Sequence, residues 1–159
     1  MIYIYMKTYI DYVVNQTAGE FRGGAELRAI DSRVNTNINE MVTELFRYKS
    51  QVHIYHWQTK SFARHKGSDQ LLDNLTDFID KFMEIYFGKY GRVNYPSKSN
   101  IVVGNMSDDE ALQFLNEMVD YFTYKVPSYV NATTDTDLLN IRDEILAGIN
   151  QVKYLFTLN

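Results

Sequence analysis

Apolar residues recur at steps of three and four along four stretches of the chain, the spacing of an α-helix with one buried side. The first stretch predicts a helix from about Asn35–Asn37 to Trp57. Ile38, Met41, Val42, Leu45, Val52 and His56 share its inner face, while Glu44, Arg47 and Gln51 face away. The second predicts a helix from about Ser68 to Phe87, with Leu71, Leu72, Leu75, Phe78, Ile79, Phe82, Met83 and Tyr86 on its apolar side. Gly88, Gly91 and Pro96 end it, and a polar connection runs to Met106. Ser107-Asp108-Asp109-Glu110 then reads as a capping box, in which Ser107 and Glu110 satisfy each other's orphan backbone donors. The third helix buries Ala111, Phe114, Leu115, Met118 and Phe122 and stops before Pro127. A fourth opens within Thr134–Asp137 and buries Leu138, Ile141, Ile145, Ile149, Val152 and Phe156.

Upstream the pattern dissolves. Residues 1–14 are dense in Ile, Tyr and Val without a clean period, so strand and short helix both stay open there. Such a segment either packs on the core or acts as an arm docking on a neighbouring copy. Gly19, Gly23 and Gly24 break any long helix before Arg33, although Ala25–Ile30 suits a turn or two. With four amphipathic helices and no repeats or Gly-rich phosphate loop, the expected class is all-α. The expected organisation is one domain, a helix bundle over about 34–159 with an N-terminal extension over 1–33.

Composition narrows the partners. At 159 residues, 45% of them hydrophobic, the chain can bury a sizeable core. A net charge of −4 with no run of Lys or Arg argues against nucleic acid or an anionic membrane as partner. Met1–Met6 is apolar but too short to span a bilayer and has no basic flank, so a cytoplasmic protein is expected. Cysteine is absent, which excludes disulfides and thiolate metal sites.

The candidate chemistry lies between Tyr55 and Glu84. The chain's three histidines, His53, His56 and His65, fall within thirteen positions. Downstream, Asp69, Asp73, Asp77, Asp80 and Glu84 follow one another at helical steps and form one stripe at the border of the apolar face. Imidazole and carboxylate together are the ligand set for iron or zinc. No Glu-x-x-His occurs, so a di-iron site built inside one bundle is excluded, as is a His-Glu-x-x-His zinc site. Asp69 and Asp80 stand about 16 Å apart along one helix and cannot share an ion within one chain. Two second helices packed antiparallel across a twofold axis would bring His65 and Asp69 of one copy opposite Asp80 and Glu84 of the other. His53 reads as a locally packed residue, Asp77 as a solvated stripe member, and Asp73 as solvated or an auxiliary ligand.

His56-Trp57, His65, Asp69, Asp80 and Glu84 resemble the ferroxidase signature of Dps-type mini-ferritins, with matching offsets after the second histidine. The stretch His56–Lys66 and the closing Gly88–Gly91 are similar to a ferritin-like family of large DNA viruses and phages. The close resemblance covers roughly Thr43 to Gly91. It implies a ferritin-like four-helix bundle in which His56, His65 and Asp69 bind iron from one subunit and Asp80 and Glu84 from its partner. Trp57 would sit beside the site and take up oxidising equivalents. Iron, singly or as a pair, would be oxidised by peroxide or oxygen and stored as ferric mineral in a twelve-subunit shell, with zinc as a substitute for the iron. The rival expectation is a non-enzymatic structural or virion-associated bundle protein.

Overall fold

The computed structural model describes residues 23–96 and 98–158, with side chains from Ile38 onward. Contacts divide the chain into two units, Met1–Val34 and Asn35–Asn159, and the packing described below is that of the second. The expectations for residues 1–14 lie outside the described residues.

Four α-helices carry the architecture: α1 (Gly23–Gln58), α2 (Phe62–Tyr90), α3 (Asp108–Asp120) and α4 (Thr136–Leu155). Among the described residues there is no strand. Every apolar residue assigned to a buried face is at most one-tenth exposed except Leu72, which is partly buried and packs on the same core. Burying side chains of this size on one shared core is the dominant favourable term in folding. Tyr48 of α1 meets Phe114 of α3 edge-on at 5.5 Å, and Phe78 of α2 meets Phe122 at 5.1 Å.

Pairwise contacts fix the directions. Three residues join α1 to α2, so the two run antiparallel. Tyr55 reaches Asp108 and Tyr48 reaches Glu117, which sets α3 antiparallel to α1. Gln70–Gln151, Lys81–Glu144 and Lys89–Asp137 set α4 antiparallel to α2 along its length. The α2–α3 connection crosses the molecule alongside α1. Asn39 donates to the Asn94 carbonyl near one end, Gln51 exchanges two hydrogen bonds with Gly104 at 2.6 and 2.9 Å, and Gln58 accepts from Met106 N–H. In order the helices run up, down, down and up.

Several boundaries differ from expectation. α1 continues upstream to Gly23 and so takes in Gly23 and Gly24, while Gly19 lies outside the described residues. Gln51 does not face away: it is 6% exposed, because the crossover covers it and uses both ends of its amide. α2 begins six residues before Ser68, with Ser61 as N-cap accepting from Arg64 N–H. Gly67 and Ser68 are buried inside it. A Cβ at Gly67 would stand 3.1 Å from the Phe156 ring, so the glycine marks where α4 closes on α2 rather than a helix break. The capping box of Ser107 and Glu110 is present as predicted. Beyond Asp120, however, the chain stays helical, through a wide π-turn (Tyr121–Lys125) and a 3-10 turn (Val126–Tyr129) whose first positions accept Pro127.

No helix of the described residues is long and apolar enough to cross a membrane.

Candidate metal centre

The turn between α1 and α2 folds His56 and His65 onto each other. Their rings stack with centroids 4.0 Å apart and planes 22° from parallel. Each Nδ1 lies 3.1 Å from the other residue's backbone carbonyl, a reciprocal pair. A carbonyl can only accept, so both Nδ1 atoms donate, and in the neutral ring the lone pair is left on Nε2. This Nδ1–H···O=C arrangement is the kind that orients metal-ligating imidazoles. Neither Nε2 has a hydrogen-bond partner among the described residues.

Ser68, which the sequence did not single out, supports the pair from beneath. Its hydroxyl is buried, donates toward the Arg64 and His65 carbonyls at 2.8 and 3.0 Å, and lies 3.3 Å from His56 Nδ1. Arg64 is held separately, donating to the Asp108 carbonyl at 2.8 Å and covering the Phe156 ring. One turn of backbone carbonyls, with no acidic side chain from Leu45 to Ser68, positions the imidazoles.

The carboxylates do not join them within one chain. Asp69 is half exposed and pairs with Lys66 at 3.7 Å. Asp73, Asp77, Asp80 and Glu84 are exposed along α2. Asp80 edges an apolar groove of about 580 Å³ between α1, α2 and the crossover, beside Phe46, Met83 and Tyr95. Glu84 edges another groove with Gly88, Arg92 and Val93. Among the described residues no three of His, Asp and Glu converge as a metal cluster.

Trp57 is 70% exposed and lies against His53, ring centroids 4.3 Å apart. His53 in turn stands 6.3 Å from His56, so three imidazoles and the indole form one run of rings across the end of the hairpin. Phe62, at the first position of α2, is 76% exposed. It lies upstream of the helix start that the apolar spacing predicts near Ser68. The signal that could have found it is its helical phase, which is that of Asp69 and Asp80.

Residues 56–156 match the family of unknown function DUF5856. The chain is also 31% identical over 123 residues to an uncharacterized 14.6 kDa protein in the mobD-ri intergenic region of Enterobacteria phage T4, spanning 76% of this chain and 88% of that protein. No solved structure matches.

Proposed function

The chain belongs to the DUF5856 family and is similar to a phage protein, and from that premise we propose that it is a Dps-like iron protein on a ferritin-like four-helix bundle. The up-down-down-up order with one crossover along α1 is the connectivity expected of ferritin-like folds. Fe(II) is the substrate. His56, His65 and Asp69 of one copy hold it, Asp80 and Glu84 of a second copy complete the shell, and zinc can take its place. Two equivalent sites follow from the twofold.

The observation that carries this reading is the reciprocal Nδ1–carbonyl pair, which fixes both stacked rings and leaves each Nε2 lone pair without a partner among the described residues. The carboxylates would neutralise the charge that builds as Fe(II) becomes Fe(III), and an open position admits the oxidant. With peroxide, two Fe(II) would each give one electron, the O–O bond would break, and two protons taken up from solvent would join the two already on the peroxide to give two waters. Exposed Trp57, its ring centroid 4.3 Å from that of His53, would surrender an electron when only one iron is bound. A scaffold reading draws on the Lys66–Asp69 pair, which already gives Asp69 a partner within the chain.

Anaerobic Fe(II) loading followed by ferric absorbance tests the choice, with oxygen and peroxide run separately. Glu84→Gln, Asp80→Asn and His65→Ala should each slow oxidation by about tenfold or more, the scale on which even supporting residues of metal sites act. The double carboxylate variant should cost scarcely more than either single one, because the ligands act as a unit. Wild type that oxidises iron no faster than buffer would leave the scaffold reading in its place.

A further inference from the structure

The exposed stripe of α2 is self-complementary in a way that neither the core nor the metal reading requires. At 100° per residue, Phe62, Asp69, Asp80 and Phe87 fall within about 20° of one line, with His65, Asp73, Thr76 and Glu84 within about 60° of it. An aromatic ring therefore closes the stripe at each end: Phe62 at 76% exposed, Phe87 partly buried against the core. Two copies placed antiparallel about a twofold between Asn74 and Leu75 set Phe62 opposite Phe87, His65 opposite Glu84, and Asp73 opposite Thr76. Two of these pairings are favourable, ring on ring and imidazole with carboxylate, whereas the Thr76 hydroxyl already donates to the Leu72 carbonyl at 2.7 Å. At that register Asp69 meets Asp80, and Lys66 meets the buried Met83, neither of which favours the pair. A shift by one turn toward the middle of α2 leaves Phe62 over Met83 and Glu84 instead.

We propose that Phe62 of one copy seats on Phe87 of a second copy, in the groove beside Gly88, Val93 and Tyr95, and that this aromatic clamp at both ends sets the register of the α2 pair and holds it before any metal arrives. The occupant is a second copy because the groove, the ring that fills it and the complementary stripe all belong to this chain. The groove has room: a side chain added at Gly88 meets nothing within 4 Å. The hairpin end bearing Phe62 also carries Lys60 and Lys66 with no acidic residue before Asp69, and it would lie over the end of the stripe that carries Glu84. The two helices must cross at the shallow angle of about 20°, since a steeper crossing would draw the ends apart. The clamp rests on the twofold of the proposed metal site but forms without the ion.

The chain has no cysteine, so single introduced thiols report on the register. Phe62→Cys and Gly88→Cys proteins, mixed in chelator and treated with a short bis-maleimide, should give cross-linked dimer. Either protein alone should not, because like positions lie about 37 Å apart along the antiparallel pair. Phe62→Ala should raise the dimer dissociation constant at least tenfold in chelator. The clamp is overturned if the mixture cross-links no more than the separate pools, or if Phe62→Ala dimerises as tightly as wild type. The metal reading fails separately, on a cross-linked dimer that binds no iron. A dimer that forms only with iron would leave the metal site standing and overturn the clamp alone.

Discussion

Two polar clusters lie at opposite ends of α2, and they are built on opposite rules. At the C-terminal end Asp135 is fully buried, and everything around it turns inward. Tyr90 Oη donates to both its oxygens at 2.7 and 2.6 Å, Asn131 N–H donates at 2.7 Å, and Lys89 Nζ stands at 2.9 Å. At the N-terminal end His56 and His65 use only Nδ1 to hold each other, and nothing described meets either Nε2. A cluster whose donors and acceptors are all matched stabilises the fold and has nothing to offer a ligand. One that spends half its capacity on orientation and leaves the other half open is arranged as a ligand site would be.

The contrast is sharpest where each end is broken. Asp135→Ala should cost about 4.5 kcal/mol in urea unfolding, from three lost donors to a charged group at about 1.5 kcal/mol each. Metal affinity should not change. His65→Ala should do the reverse: stability falls by no more than about 1 kcal/mol, one hydrogen bond, while anaerobic Fe(II) or zinc affinity drops at least about tenfold. Equal losses of stability from the two variants would erase the distinction.

The next effect is a dependence on pH. Burial raises the Asp135 carboxyl, but the hydrogen bonds from Tyr90, Asn131 and Lys89 outweigh it and hold the group below its usual range. A folded pKa below the unfolded value of about 3.9 gives stability that is fully present above that value. It is lost as pH falls through the folded pKa. Urea midpoints should therefore be flat from neutral pH to about 5 and then fall, and Asp135→Asn should flatten the acid side of that curve.

The helical core was legible because it needs only a period. Ile38 to Val52, Leu71 to Tyr86 and Leu138 to Phe156 declare their buried faces by spacing alone. Features made by residues distant in the chain were not. Gly67 and Ser68 looked like a helix start, because nothing local says that Phe156 closes over Gly67. Gln51 looked solvated, because its partner Gly104 is 53 residues away. Asp135 was read only as part of a helix opening, and its burial depends on Tyr90 and Lys89 from another helix. At the candidate site the sequence supplied the residue types and their helical phase. The reciprocal imidazole bonds come from the three-residue turn and could not be read from spacing.

The smallest effect separates the stripe from the site. Asp77 is exposed on α2 and lines the polar groove against α4 rather than the side shared by Asp69 and Asp80. Asp77→Asn should leave iron oxidation and dimer affinity unchanged within error, while Asp80→Asn slows oxidation. An equal loss from both would mean that bulk negative charge, and no particular ligand, draws the iron.

Native mass spectrometry of the anaerobic protein with Fe(II) tests the shared site most directly. A dimer carrying iron at two equivalent sites, emptied by His65→Ala with the dimer retained, is the predicted result. Iron bound to a monomer, or iron bound equally by wild type and His65→Ala, would contradict it.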